Sequence, residues 1–486
     1  MGSKALKSIK FPGLSDTYVI NAVGVHHYTA RWDKATASLT RLNDAEGITT
    51  TVTNFKHSGS VNANYSNPFD NIYPWAGRKL CNIDIDVYYG LSSGDSIRKA
   101  VKAWEGDPDF SYDDADGVWV YTPEFWGKSW DDGTYRYFDV TDAPLGGYVH
   151  YEEDIMGRWH GRSVSRQIDG TEKTVLIPSV GMPAKRIAMS TMHGYAKNAK
   201  MTVDDIFTLD GNILLAIVEF ASMNLQSAIG SGVSSLYRQS SDTIQEAATA
   251  STVVKVLKAN AGTVIPGAIF DIGTSNGGVE VGSYIVVSTA TDASDSTLLD
   301  VTLNEAVTVT TAHFWSVHGL SNVADADIGS KSGYIGPDGQ SNVYYRGAVI
   351  YGNLWFYILG AYRDSSNKVW LAHDRAEADA ADALNTGVHI DTGITLATTG
   401  GYIQTLAQLS RSDLISIAPI CTAVGGSASA PVGDYHYINA TAGNTILLCG
   451  GHATNGTHDG PLCGYWNTAA SYAYWNISAR PHLKSP

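Results

Sequence analysis

The sequence is poor in charged residues, and basic residues are scarcer than acidic ones. Charged residues make up 17% of the chain, and 33 Lys and Arg stand against 48 Asp and Glu, so the formal net charge is −15. No run of basic residues interrupts this balance. Nucleic-acid binding requires a basic surface to meet the phosphates, so nucleic acid is not expected as a partner.

Cysteine and long apolar runs are also scarce. The four cysteines, Cys81, Cys421, Cys449 and Cys463, form no C-x-x-C pair and are too few for a disulfide-built scaffold of 486 residues. We interpret them as buried thiols, with one late disulfide left open. The most apolar segments, such as 213–218, are far shorter than the roughly 20 residues that a bilayer requires, so no membrane insertion is expected. The amino terminus has no apolar signal-peptide core, which favours a soluble protein made in a cytoplasm.

Catalytic motifs are missing as well. The chain has no H-E-x-x-H, no P-loop and no G-x-G-x-x-G that opens a helix, which argues against a metalloprotease, an NTPase or a dinucleotide enzyme. Segment 273–277 (GTSNG) matches G-x-S-x-G, but a strand-like run follows Ser275 where a nucleophile elbow requires a helix. The 14 histidines, including His26 and His27, show no metal-ligand spacing. We therefore predict no enzyme, no catalytic residue and no cofactor, and leave open whether a structural metal ion is bound.

Glycine and aromatic residues are abundant, with 49 Gly, 27 Tyr and 12 Trp. This composition favours turns, strands and aromatic packing, and the length favours two or three domains.

The clearest helical periodicity runs over 212–229, with Glu219 inside its apolar run, and weaker helices are predicted at 96–104 and 374–384. The acidic stretch 107–116 lacks the glycine and closing glutamate of a calcium loop, so we interpret it as a solvated loop. Between 247 and 319, β-branched runs are common and aromatic residues are scarce, whereas aromatic and glycine-rich segments occur on both sides. This change in composition indicates an inserted β-domain.

The last forty residues combine two kinds of side chain. Over 445–483, an apolar framework consists of Trp, Leu and Gly. Interspersed among these residues are Asn, Asp, Ser, Thr, His and Tyr. Such polar and tyrosine side chains offer the adaptable contacts that antibody-like binding surfaces use. An ordinary glycine-rich sheet with polar surface positions is the alternative interpretation, and composition alone favours neither.

Several short motifs occur in a suggestive order. They are 69–77 (FDNIYPWAG), 118–126 (VWVYTPEFW), the helical segment 214–233, 345–355 (YRGAVIYGNLW), 448–451 (LCGG) and 477–483 (ISARPHL). Together they resemble phage and bacterial proteins with a C-type-lectin fold of the formylglycine-generating-enzyme type, including tropism-determining tail proteins that retroelements diversify.

The resemblance implies an α+β fold with a discontinuous C-type-lectin-like domain. Its two parts would be 21–246 and 320–486, interrupted by a small all-β domain at 247–319 and preceded by an attachment segment at 1–20. The scaffold would include Gly352, Asn353, Trp355, Gly450, Gly451, Trp466, Trp475 and Arg480.

Residues between the last Gly-Gly and the terminal strand form the ligand face in that family. Diversified members vary adenine-containing codons, which yield the polar residues and Tyr of this tract but never Trp. The resemblance therefore assigns ligand binding to His452, Thr454, Asn455, Thr457, His458, Asp459, Tyr465, Asn467, Ser471, Tyr472, Tyr474 and Asn476. The reactive cysteine pair of the enzymatic members is not expected here, because Cys449 directly precedes the Gly-Gly turn and fits strand packing.

The function implied is that of a receptor-binding protein at the tip of a phage tail fibre. We expect a homotrimer in the virion tail that binds a protein or glycan on the host surface and contacts other tail proteins. The alternative is a structural virion protein, such as a head fibre, neck or baseplate decoration.

Overall fold

The structure is a computed structural model. It describes residues 7–9, 18–20, 25–50, 67–91, 99–151, 158–162, 166–169, 174–178, 182–230, 238–262, 264–319, 332–334, 342–409 and 417–483. Most of the expected attachment segment at 1–20 lies outside these residues. Its described parts, Lys7–Ile9 and Tyr18–Ile20, pair as two antiparallel strands.

Strands dominate the architecture. Strand residues far outnumber helical residues in the described ranges, and the strands form several separate sheets. The expected α+β class is therefore wrong, and a C-type-lectin-like domain is not shown. The physical reason lies in the sequence itself, because its many short β-branched and aromatic runs between turn residues satisfy their backbone hydrogen bonds in ladders.

An antiparallel sheet of five strands follows this N-terminal pair in the chain. Its strands, in spatial order, are Val149–Tyr151, Phe125–Asp131, Tyr135–Thr141, His27–Asp33 and Ser38–Asn43. Along Phe125–Asp131, buried and half-buried residues alternate, as expected for a strand with one face on the core.

A second sheet includes the last described strand. Its six strands are, in order, Met201–Val203, Pro481–Leu483, Arg158–Gly161, Trp119–Thr122, Lys79–Ile83 and Val101–Trp104. The helix predicted at 96–104 is wrong over Val101–Trp104, which pairs with Lys79–Ile83. Residues 96–98 of that prediction lie outside the described residues. Pro481–Leu483 is an interior strand of this sheet, and all three of its residues are buried.

A third sheet has a core of its own. Its six antiparallel strands are Arg238–Thr243, Phe314–His318, Ile269–Gly273, Gly282–Thr291, Leu298–Val309 and Ala248–Leu257. A separate hydrophobic cluster fills it, with Phe270 and Trp315 stacked at a ring distance of 5.5 Å. The sheet includes most of the interval 247–319 and begins earlier, at Arg238; we call it the insert sheet. The boundaries of an inserted domain stay a prediction.

The largest sheet carries the C-terminal tract. Its strands are, in order, Ile390–Thr395, Lys368–Leu371, Trp355–Arg363, Thr445–Gly450, Gly460–Trp466, Tyr435–Ile438, Gly401–Leu406 and Cys421–Val424, and Ile477–Ser478 pairs in parallel with Trp355–Arg363. Smaller sheets are formed by Ser332–Tyr334, Val343–Tyr345 and Ala348–Tyr351, and by Arg166–Asp169 with Thr174–Ile177.

Helices are few and mostly short in the part of the chain that the structure describes. The α-helices are Ile85–Tyr89, Met189–Asn198, Ile206–Phe220, Leu225–Ile229 and Arg375–Ala380, and the 3-10 turns are Pro68–Asn71, Trp75–Gly77, Lys258–Asn260 and Gly456–His458. No helix within the described ranges is long and apolar enough to cross a membrane.

The central helix departs from the one predicted at 212–229. It starts earlier, at Ile206, because the Asp205 side chain accepts a hydrogen bond from the Thr208 amide at 2.8 Å and caps the first turn. It ends at Phe220, where Ala221 adopts a left-handed conformation (φ 49°), and Leu225–Ile229 follows as a separate short helix. The helix predicted at 374–384 is confirmed only over Arg375–Ala380, which Asp374 caps.

All four cysteines are buried and free. Burial raises the pKa of the thiols of Cys81, Cys449 and Cys463 well above the usual value. The interpretation as buried thiols is confirmed, and the late disulfide is not formed.

Candidate functional site

The tract 445–483 folds as strands joined by two loops. Thr445–Gly450 leads into a glycine turn, the 3-10 turn Gly456–His458 and then Gly460–Trp466. The second loop, 467–476, returns the chain to Ile477–Ser478 and Pro481–Leu483. The body holds this loop by backbone hydrogen bonds, since the amide of Met189 donates to Ala470 at 2.9 Å and that of Arg186 to Tyr474 at 3.0 Å.

The glycine turn requires glycine at both positions. Gly450 and Gly451 have φ of 93° and 73°, in the left-handed region that side chains disfavour. A Cβ at Gly451 would also collide with the carboxylate of Asp459. Asp459 is fully buried, and its Oδ1 accepts a hydrogen bond from the His452 amide at 3.1 Å. Asp459 was assigned to the ligand face, but the structure places it inside the turn.

A cleft of about 150 Å³ opens between the two loops. We call it the C-terminal cleft. It brings together six residues of the predicted ligand set, His452, Asn455, Tyr465, Tyr472, Tyr474 and Asn476. The sequence-based prediction missed Tyr437, and it assigned the other three lining residues, Trp355, Leu448 and Ile477, to the framework.

Aromatic rings form much of the wall of this cleft. Trp355 is the central ring, with its centroid 5.2 Å from Tyr465 and 5.8 Å from Tyr437. Tyr472 and Tyr474 stack on each other at 5.6 Å, and Tyr472 is 39% exposed. Because aromatic rings combine a large apolar face with a polar edge, this wall can hold the flat face of a ligand.

The polar groups of the cleft are neutral and largely fixed in place. Burial lowers the pKa of His452 to about 3, so its imidazole is uncharged at neutral pH. Asn455 accepts from the His452 amide at 2.9 Å and donates to the Tyr437 hydroxyl at 2.8 Å. Asn476 is 8% exposed, and its backbone carbonyl accepts a hydrogen bond from the Trp355 amide at 2.9 Å. Among the described residues, no lining side chain carries a formal charge at neutral pH.

A second aromatic group lies around the 3-10 turn. The His458 ring stacks on Tyr435 with centroids 4.0 Å apart, and its Nδ1 lies 2.6 Å from the Tyr437 hydroxyl. Thr457 shares a hydrogen bond of 2.6 Å with the Tyr402 hydroxyl. The sequence analysis missed these three tyrosines. The alternation of Tyr435 and Tyr437 on one strand was the available signal, because residues two apart share a face.

The other predicted contact residues lie nearer the rim. Thr454 and Ser471 are exposed, and Asn467 is half-buried. The Thr454 hydroxyl lies 3.1 Å from the His452 ring nitrogens, which links the rim to the cleft floor. The structure thus distributes the twelve predicted residues among the cleft, its rim, the 3-10 turn and the buried glycine turn.

The predicted scaffold residues are buried. Trp466 and Trp475 are fully enclosed, and Trp475 packs beside Gly277 in a turn of the insert sheet, where a Cβ would collide with its ring. Arg480 forms an ion pair with Asp204, with Nε 2.6 Å from Oδ2. The side chain of Asn353 makes two hydrogen bonds to the Gly319 backbone, at 3.0 and 2.8 Å.

The structure also explains two motifs that were not predicted to be sites, the G-x-S-x-G match at 273–277 and the acidic stretch 107–116. Ser275 lies in a turn between the strands Ile269–Gly273 and Gly282–Thr291, with its hydroxyl 3.2 Å from Glu280, so no nucleophile elbow is formed. In the acidic stretch, Asp114 and Asp116 both bind the Lys102 ammonium, at 3.0 and 2.6 Å. A lysine occupies the position that a cation would need there.

No known family model matches the sequence, and no curated protein matches it.

Proposed function

We propose that this chain is a binding protein and that its ligand occupies the C-terminal cleft. One observation carries the proposal. Six polar or tyrosine residues that the sequence analysis assigned to ligand contact line one cleft, although they come from two different loops and a strand. Enclosed pockets with aromatic walls and a few convergent polar groups are the usual form of a ligand site.

The chemistry of the cleft favours an uncharged ligand. Its aromatic wall offers stacking surfaces, and its amides and hydroxyls offer hydrogen bonds, with no side chain available to neutralise an ionic group. Burying an unpaired ligand charge there would cost free energy without compensation. A neutral sugar or an uncharged aromatic peptide side chain meets these conditions, in keeping with a glycan or protein receptor.

The biological setting we propose is a phage tail, with the chain acting as a host-receptor-binding protein. The motif resemblance and the side-chain alphabet of the tract support this setting; the lectin-like fold is not part of the proposal. Several copies on one particle would strengthen attachment through avidity, so a weak single site is sufficient.

The proposal is tested by host adsorption of the purified full-length protein. We expect the double variant Tyr472→Ala/Tyr474→Ala to lose about 2 kcal/mol or more of binding free energy, ~30-fold in affinity, because aromatic residues dominate such contacts. Binding of fluorescent protein to a panel of bacterial strains provides the measurement. Periodate or protease treatment of the cells then separates glycan from protein receptors.

Tyr135→Ala is the matched control, because this half-buried tyrosine lies in the five-stranded sheet, away from the cleft. It should bind like the unmodified protein. If the double variant binds cells as well as the control does, the cleft is not the receptor site. If no strain in the panel binds the unmodified protein, the structural virion role becomes the better hypothesis.

A further inference from the structure

Three metal-ligating side chains meet in the core, away from the C-terminal cleft. They are His160, Asp204 and His482, and their candidate ligand atoms all lie within 4.8 Å of one another. All three residues are buried, with exposed fractions of 1%, 1% and 0%. We call them the three-ligand cluster.

The six-stranded sheet that contains the C-terminal strand builds this cluster. His160 and His482 are directly paired across the antiparallel strands Arg158–Gly161 and Pro481–Leu483, and their ring centroids are 4.6 Å apart. Asp204 follows the neighbouring strand Met201–Val203, and its amide donates to the Arg480 carbonyl at 3.0 Å. Backbone pairing, rather than a flexible loop, therefore positions all three side chains.

We propose that the three-ligand cluster binds a divalent transition-metal ion, with zinc as the leading candidate. Two imidazoles and one carboxylate form a ligand set that suits zinc and its neighbours, whereas calcium and magnesium prefer sites built of oxygen. Zinc ligands lie about 2.0–2.2 Å from the ion, so atoms already within 4.8 Å of one another need only small side-chain shifts.

The surrounding residues can orient these ligands. The Thr208 hydroxyl lies 3.4 Å from Nδ1 of His482, which directs Nε2 of that ring toward the ion. Arg480 binds Oδ2 of Asp204 at 2.6 Å, and a carboxylate has a second oxygen that can serve as ligand. The positive charge of Arg480 weakens the attraction for a cation but holds the carboxylate in one orientation.

An ion at this position would have a structural role. It would tie the C-terminal strand Pro481–Leu483 to Arg158–Gly161 and to the residue before the cap of the central helix. The short strand Ile477–Ser478 separates Pro481–Leu483 from the loop that lines the C-terminal cleft. The proposal does not depend on what the cleft binds.

The experiment uses the untagged full-length protein after dialysis against a chelator. Titration with Co²⁺ should produce visible ligand-field absorption that saturates at one ion per chain, and Zn²⁺ should displace it. X-ray absorption at the zinc edge should report nitrogen and oxygen ligands with imidazole scattering. Zn²⁺ should also raise the Tm, since ligands that bind the native state stabilise it.

Variants then locate the site. His160→Gln and His482→Gln should each abolish the stoichiometric Co²⁺ band, and Thr208→Val should weaken zinc binding about 10–100-fold through the lost orientation of His482. His436→Gln is the control, because His436 is a fully buried strand histidine of the largest sheet, with Nε2 3.0 Å from the Ala397 carbonyl. It should retain the band.

Two outcomes would overturn the proposal. One is that the unmodified protein shows no stoichiometric Co²⁺ or Zn²⁺ binding, which requires no variant to fold. The other is that folded His160→Gln and His482→Gln proteins bind the metals as the control does. If either histidine variant fails to fold, the zinc-edge spectrum and stoichiometry of the unmodified protein decide the question.

Discussion

Glu219 is the residue whose replacement should destabilise the protein most clearly. Its fully buried carboxylate accepts hydrogen bonds from Nε and Nη2 of Arg346, at 2.8 and 2.7 Å, and from the Tyr345 hydroxyl at 2.7 Å. Asn67 also donates to it, at 2.5 Å. Burial lowers the pKa of Arg346, but Glu219 more than reverses that effect, so the pKa is raised overall.

Glu219→Gln removes the charge and keeps the size of the side chain. The Arg346 guanidinium then remains buried, with Asp70 at 3.0 Å as a partly exposed ionic partner. Leaving one member of a buried pair uncompensated costs about 3–5 kcal/mol, so we expect the central helix to lose that much local stability. Hydrogen-exchange mass spectrometry of peptides from Ile206–Phe220, at increasing urea, measures this loss directly.

The matched control is the surface pair of Lys368 and Asp391. These side chains are 2.9 Å apart but 46% and 32% exposed, so Asp391→Asn should cost less than about 1 kcal/mol. A double variant, Glu219→Leu/Arg346→Leu, should be more stable than Glu219→Gln, because no buried charge remains unpaired. A cost for Glu219→Gln no larger than that of the surface control would refute this reasoning.

Two further predictions concern the largest sheet. Trp466→Ala should cost about 3–5 kcal/mol and abolish the near-ultraviolet circular dichroism of this sheet, because the side chain is fully buried, whereas Tyr465→Ala should retain that signal and weaken only binding. Burial lowers the pKa of His436 from 6.5 to about 4, so the native state binds fewer protons than the unfolded state between those values. Stability should therefore fall as pH falls from about 6.5 to about 4, by up to ~1.4 kcal/mol per pH unit. Tm measured across this range should depend less on pH in His436→Gln, and equal slopes would contradict the assignment.

Local sequence was informative where neighbouring residues decide the conformation. Short β-branched and aromatic runs between glycine and asparagine turns were predicted as strands, and strands account for most of the regular secondary structure in the described residues. The burial of the cysteines and of the C-terminal tryptophans followed from the same patterns. The α+β expectation rested on a resemblance of short motifs, and the strand-rich structure contradicts it.

The ends of the helices show where apolar periodicity is not sufficient to predict helix boundaries. The apolar spacing over 212–229 was continuous, yet the helix breaks at Ala221, and its start depends on the Asp205 cap rather than on the apolar pattern. Capping side chains set the helix starts at Asp84, Asp205, Asn224 and Asp374, and all four are local signals of known type. Asn224, which caps the short second helix, was therefore a local signal for the break.

The C-terminal tract illustrates what the sequence alone determined. Its division into buried tryptophan and glycine positions and more exposed polar or tyrosine positions can be derived from residue type, because burial of large apolar rings is favourable wherever they lie. Which polar residues meet one another was decided by tertiary structure. Trp355 reaches the cleft from a strand distant in sequence, and Tyr437 reaches it from Tyr435–Ile438, the strand just before the tract. Asp459 turns inward beneath Gly451.

The same distinction applies to the three-ligand cluster. No spacing in the sequence relates His160 to His482, because strand pairing across most of the chain sets them opposite each other. Side-chain chemistry is a property of each residue, whereas a site requires several side chains at one point in space. In this protein the sequence determined the chemistry of each side chain, and the pairing of distant strands decided which side chains meet at one site.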